Sequence, residues 1–192
     1  MIEFRNISKI YKKRNGEQIF ALKDLSFEIK KDEFVIFAGR SGAGKTTIFK
    51  LIIGEEKPTI GEIYFEDKKI NNFSTTQLSS LRQKIGIIFQ DYKLLKTKTV
   101  KENLSYILEV VGEKEKKIKE KIENLLFLVD LESKKDHFPD ELSAGEKQKL
   151  AIARALILSP KVILADEPTA NLDPFATLEI LRLFLKIHQM GN

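Results

Sequence analysis

The 192-residue sequence has no cysteine and no tryptophan. Without thiols it can close no disulfide and offer no thiolate to a metal, which fits the cytoplasm rather than an oxidising compartment. Long apolar runs are missing as well. Stretches such as "LLFLV", Leu125 to Val129, fall far short of the roughly 20 residues that a membrane-crossing helix needs. The opening "MIEFRNISKIYKKR" alternates apolar and polar residues and has no continuous apolar centre, so it does not read as a signal peptide. Any membrane role must therefore come through a partner.

Arginine is scarce too. Lysine and arginine total 33 against 28 acidic residues, a net charge of +5, yet only six of the basic residues are arginine. The lysines are interspersed with glutamates, which indicates a solvated surface and argues against a nucleic-acid partner. "GEKEKKIKEKIENLLFLVDL" shows the pattern: Glu113 with Lys117 and Glu115 with Lys119 are spaced as helix pairs, while Ile118, Ile122, Leu125, Leu126 and Val129 make one apolar stripe.

What is present is a regular alternation of elements. Strand-like segments lead the chain: "IEFRNISKIY", "FALKDLSFEIK", "EFVIFAG" and "GEIYFEDKKI". Thr46 to Ile53 has helical spacing and stops at Gly54, a C-terminal cap. A short helix over "STTQLSSLRQK", a strand "IGIIF", helices near 100–111 and 113–129, and a loop through "SKKDHFPDE" follow. The remainder reads as a helix from about Ala144, a buried strand "KVILAD" and a last helix from about Ala176 to Gln189. This order predicts an α/β fold with an N-terminal antiparallel sheet and a parallel sheet covered on both faces. One domain is expected over 1–192, with a helical subdomain inserted at about 91–145.

The chemistry is concentrated in "GRSGAGKTT", Gly39 to Thr47, which matches G-x-x-x-x-G-K-[ST]. Gly39, Gly42 and Gly44 let successive main-chain N–H groups, with those of Arg40, Ser41 and Ala43, point inward at phosphate oxygens. The helix that follows, entered at Lys45, Thr46 and Thr47, adds the positive end of its dipole. Lys45 would reach the terminal phosphates as a point charge, and the Thr46 hydroxyl would bind Mg²⁺. Downstream, Asp166 and Glu167 stand at the end of an apolar strand. They are either a strand end running into solvent or a cation ligand beside a group that activates water. Ser143 precedes a helix whose first turn holds Ala144, Gly145 and Glu146. It is either an ordinary N-cap or part of a second anion site.

In that order and spacing, "GRSGAGKTT", "IFQD", "LSAGEKQKLAIARAL" and "VILADEPTANLD" resemble the ATPase domain of ABC-type ATP-binding proteins, across essentially the whole chain. The resemblance implies a P-loop NTPase fold of RecA-like type, with a helical subdomain that carries the signature. It implies ATP and Mg²⁺, with Asp166 in the Mg²⁺ shell and Glu167 acting on the attacking water. Gln90 would contact both metal and water. Tyr11 would stack on adenine, unless it is simply a strand-edge tyrosine. Leu142 to Glu146 would face the ATP of a second subunit, and Asn171 to Asp173 would run between the two sites. Within the family, "IGIIFQDYKLLKTKTVKENL" and "ADEPTANLDP" are most similar to cell-division ATP-binding proteins, with lipoprotein-release and macrolide-export ATPases next. Either implies a homodimer sandwiching ATP on the cytoplasmic face of a polytopic membrane protein. Asp91, Tyr92, Leu94 and Leu95 would grip that partner, or the leucines would pack in the core.

Three departures stand out. Ala144 takes the place of a signature glycine, and Glu146 that of the usual glutamine. "KIHQMGN" also precedes the point at which the family places a further central strand and a switch histidine. His137 and His188 lie elsewhere in the pattern, so the chain is expected to be part of a longer domain whose missing strand leaves core exposed. A nucleotide-gated binder with little turnover is the competing expectation. Family members acting on DNA or ribosomes carry a long insertion or a second cassette, neither of which is seen here.

Overall fold

A computed structural model describes residues 1–191, which divide into two compact units, Met1–Arg82 and Gln83 onward. In the first, β1 (Ile2–Lys12), β2 (Gln18–Ile29), β3 (Ile60–Phe65) and β4 (Lys68–Lys69) form one antiparallel sheet in the order β2-β1-β3-β4. Its register is set by alternating apolar residues. Ile2 stands opposite Phe65 and Phe4 opposite Ile63, and all four are buried. Phe4 stacks on Phe27 with ring centroids 4.5 Å apart, and Phe27 meets the edge of Phe37 at 5.3 Å. Helix α1 (Lys45–Ile52) buries Ile48, Leu51 and Ile52, and ends where Gly54 takes φ +64°. Helix α2 (Thr75–Gln83) closes the unit.

The expected strand "EFVIFAG" is not one. Residues 33–40 are irregular and, apart from the partly buried Phe37, exposed, with Ile36 at 78%. A strand apolar on both faces is stable only between neighbours that satisfy its main-chain groups and cover its side chains. The four-stranded sheet of this unit closes without it.

The second unit contains β5 (Ile85–Ile88), α3 (Val100–Val110), α4 (Glu115–Leu128), α5 (Ala144–Leu156), β6 (Val162–Ala165) and α6 (Pro174–Gln189). The loop through "SKKDHFPDE" contains two short 3₁₀ turns, Glu132–Lys134 and Pro139–Glu141. Strands β5 and β6 pair in parallel, Ile85 opposite Val162 through Ile88 opposite Ala165. The core of this unit joins Leu104 and Leu108 of α3, Ile122 and Leu126 of α4, and Leu150 and Ile152 of α5. The apolar stripe expected on α4 is realised by Ile122 and Leu126, with Ile118 and Leu125 partly buried beside them. β6 is less enclosed than its sequence predicts. Only Leu164 is buried, because among the described residues β5 is its sole strand neighbour. On α6, Ile180, Leu183, Phe184 and Ile187 are buried, whereas Leu178, Leu181 and Leu185 face outward.

Candidate functional site

In the first unit the glycine-rich turn delivers the chain into α1 without a side-chain cap. The N-cap is Gly44, at φ +90°, so the helix start is closed by no serine or aspartate and keeps its anion-binding character. Glycine is required there on two counts. A Cβ at Gly44 would lie 2.5 Å from the Ala21 carbonyl oxygen, and the torsion is left-handed. The Lys45 ammonium donates to the carbonyls of Gly39 at 2.9 Å and Arg40 at 3.3 Å, so it lies along the inside of the turn. Arg40, Ser41, Gly42, Ala43 and Thr46 are exposed, and Thr47 is half-buried. Tyr11, near the end of β1, carries the Lys9 ammonium over its ring at 4.9 Å, which occupies one aromatic face.

In the second unit the parallel register brings the ends of β5 and β6 to one edge. The Asp166 N–H donates to the Ile88 carbonyl at 2.9 Å, so Gln90 leaves β5 at the same edge as Asp166 and Glu167 leave β6. Glu167 has φ +47°, a left-handed conformation that costs a non-glycine residue about 1–2 kcal/mol. Its carbonyl accepts the Ala170 N–H at 3.1 Å, closing a turn that fixes the strained residue.

Ser143 is an N-cap, as its sequence context allows. Its hydroxyl accepts the Glu146 N–H at 3.2 Å, and the Glu146 carboxylate accepts the Ser143 N–H at 2.8 Å. The capping oxygen still has its O–H to donate, and Ser143 and Ala144 are exposed, so capping and anion binding are compatible. The bond from the Ser143 N–H holds the Glu146 carboxyl below its usual pKa, against the effect of burial. Asp173 likewise caps α6, accepting the N–H groups of Phe175 at 2.9 Å and Ala176 at 3.0 Å.

The sequence profile of the ABC transporter family matches residues 22–170. The chain belongs to the ABC transporter family. It is 42% identical over its whole length to methionine import ATP-binding protein MetN 2 of Bacillus cereus (strain ATCC 10987 / NRS 248), covering 56% of that protein. It is 43% identical over its whole length to cell division ATP-binding protein FtsE of Bacillus subtilis (strain 168), covering 82%. Among solved structures, the dimeric ATP-binding cassette MJ0796, in a post-hydrolysis state bound to ADP and Pi, matches with a TM-score of 0.89 and 36% identity, over 100% of this chain and 84% of that one. The chain thus spans a little over half the length of the methionine-import relatives it matches.

ABC ATPases typically use Mg²⁺ with their nucleotide. The first unit offers the exposed Thr46 hydroxyl, and the second offers the Gln90 amide oxygen and the Asp166 carboxylate at neighbouring strand ends, each a hard oxygen donor of the kind Mg²⁺ takes beside phosphate and water. Among the described residues no three His, Asp or Glu side chains form a metal cluster.

Two residues of this ABC chain do more than the motifs imply: Asn103, given no role there, and Asn171, named there only as part of the loop Asn171 to Asp173. Asn103 is fully buried on α3, where its amide donates to the carbonyls of Leu95, Lys98 and Thr99 at 2.9–3.0 Å and its oxygen accepts the Leu95 N–H at 2.9 Å. It holds the loop that follows Gln90. The available signal was an asparagine in helical phase with Val100, Leu104 and Leu108. The other is Asn171, whose amide donates to the Gln90 carbonyl at 3.2 Å. No helix among the described residues is long and apolar enough to cross a membrane. Leu94 and Leu95 are half-buried, and Leu94 packs against the core while Asp91 is exposed.

Proposed function

We propose that this ABC domain binds Mg-ATP and hydrolyses it as a homodimer docked on the cytoplasmic face of a polytopic membrane protein. The observation that carries the reading is the α1 N-terminus, which is entered through a left-handed glycine and lined by the Lys45 ammonium. Lys45, Thr46 and the turn amides hold the phosphates. Asp166 and Gln90 supply oxygens to Mg²⁺, and Glu167 takes the proton of the attacking water. Ser143, Ala144, Gly145 and Glu146 face the nucleotide of the second subunit, with Asp173 between the two sites. Tyr11 stacks on the adenine with the ring face opposite Lys9. The dimeric neighbour with ADP and Pi supports both the pairing and the hydrolysis.

The partner we propose is an FtsX-like permease of a cell-division complex. The likeness of the segments around Gln90 and Asp166 to cell-division ATP-binding proteins supports this choice, and an import permease is the alternative, since identity to FtsE and to MetN 2 is nearly equal. Phosphate release should be measured with Mg-ATP for the chain and for Glu167→Gln, alongside co-purification with an FtsX-like and a methionine-import permease. Release that vanishes in the variant and selective recovery with the FtsX-like protein support the reading. Equal release by both forms makes the domain no ATPase of this type. Recovery with the import permease alone moves it to the import branch.

A further inference from the structure

The cation that covers one face of the Tyr11 ring is held in place by two further contacts. The Lys9 ammonium, 4.9 Å from the ring centroid, donates to the Glu56 carboxylate at 2.7 Å and to the Lys57 carbonyl at 2.9 Å. The Lys9 side chain keeps 12% of its exposure and that of Glu56 32%, so solvent and salt screen this pair less than one in open water. A lysine of four flexible methylenes is thereby fixed beside an aromatic ring.

Attaching the segment after α1 to the sheet does not require this lysine. The Thr59 N–H already donates to the Ser8 carbonyl at 2.8 Å, and the Ile10 N–H to the Thr59 hydroxyl at 3.0 Å. What Lys9 adds is a link between the tyrosine ring and the helix assigned to phosphate. Through Glu56 it reaches the C-terminal end of α1, where the N–H groups of Glu55 and Glu56 donate to the Lys50 carbonyl at 2.9 and 3.1 Å. At the N-terminal end Gly44 abuts Leu22, whose Cδ2 would lie 2.8 Å from an added Cβ, and Leu22 stands opposite Lys9 in the register of β1 with β2. Lys9 is thus tied to both ends of α1.

We propose that Lys9 is a positioning residue for the purine base: it holds the Tyr11 ring in one orientation relative to the phosphate turn and makes the opposite ring face a better platform for an electron-rich purine. The proposal rests on the stacking of adenine on Tyr11 given above. A ring that is already oriented loses little freedom when the base arrives. A cation on one face also draws ring electron density toward itself, which lessens the repulsion between stacked π clouds on the other.

The test is calorimetric titration of the full chain with Mg-ATP and with Mg-tripolyphosphate, which offers phosphates and no base. Lys9→Met keeps the length of the side chain and removes its charge. Affinity for ATP should fall about tenfold, and that for tripolyphosphate should stay within about twofold of the parent. Lys9→Arg, which retains a cation over the ring, should recover most of the loss. In a Tyr11→Ala background Lys9→Met should weaken ATP no further. An equal fall for both probes makes Lys9 a support of the fold and overturns the proposal, as does a loss that adds to that of Tyr11→Ala. If Lys9→Met leaves ATP affinity unchanged while Tyr11→Ala lowers it, the role of Lys9 is overturned and adenine stacking stands. If neither change lowers it, the stacking itself is overturned and the proposal with it. Glu56→Gln repeats the comparison without altering β1. It should weaken ATP about threefold and spare tripolyphosphate, and equal effects on the two overturn the proposal even where Lys9→Met does not fold.

Discussion

The Asn171 side-chain amide donates to the main-chain carbonyl of Gln90 across 3.2 Å, although the two residues are 81 positions apart. This bond ties the turn after β6, which carries Asp166 and Glu167, to the residue that leaves β5. The spacing of Gln90 from Glu167 therefore depends on a side chain that would make no direct contact with the reaction. Asn171→Ala is expected to lower stability by about 1 kcal/mol, one hydrogen bond, while reducing the rate of phosphate release more than it weakens ATP binding. Denaturant unfolding and steady-state kinetics, read as kcat against KM, give the two numbers.

Glu167→Gln keeps the shape of the turn and removes the carboxylate proposed above as the base. Phosphate release should fall by 10²-fold or more, on the order of the usual contribution of a positioned base. Calorimetric affinity for Mg-ATP should stay within about threefold of the parent, because binding is assigned to α1 and its turn. A variant that loses binding as well would show that Glu167 supports the turn rather than the chemistry.

Gly44→Ala introduces a methyl group 2.5 Å from the Ala21 carbonyl at a left-handed torsion. The turn must then open or the sheet must shift. Loss of measurable ATP binding is expected, with the melting temperature lowered by several degrees for a cost of about 2–3 kcal/mol. Retained affinity would show that the turn binds phosphate in some other conformation.

Asn103→Ala removes all four hydrogen bonds that pin the loop from Leu95 to Thr99 onto α3. A cost of about 2–4 kcal/mol is expected, read from the urea midpoint. Hydrogen exchange at the Leu95 amide should accelerate relative to the α4 core. Asn103→Asp restores the acceptor alone and should recover only part of the loss.

Two capping boxes make stability depend on pH. The Glu102 and Glu146 carboxyls are both held below the usual 4.5, each first by an N–H of its own N-cap residue, Thr99 or Ser143. A carboxyl with a lowered folded pKa binds its proton more weakly in the native state than in the unfolded state. Its contribution is therefore complete above about pH 4.5 and is lost as pH falls through the lower folded value. The melting temperature should decline below that point, and Glu146→Gln should flatten part of the decline. A variant whose decline equals that of the parent would assign the acid sensitivity elsewhere.

Much of this molecule was legible in the sequence because local chemistry decides it. The apolar phase of "GEKEKKIKEKIENLLFLVDL" placed α4, Gly54 ended α1, and Ser143 read as an N-cap before α5. The glycine turn before Lys45 and Thr46 was equally plain, since the left-handed entry into α1 at Gly44 requires glycine. Where the sequence misled, the cause was a neighbour that local pattern cannot supply. "EFVIFAG" has the composition of a buried strand yet lies outside the sheet, and β6 is only partly covered. Asn103 gave a weak signal because its importance lies in what surrounds it.

The order and spacing of short motifs were thus enough to assign the family and to propose the residues of a nucleotide site. Torsions and caps operate over a few residues, and this is why sequence alone carries them. Pairing, burial and unsatisfied polar atoms depend on segments that meet from distant positions. Only the tertiary structure could join Asn171 to Gln90 and pin the Gln90 loop with Asn103.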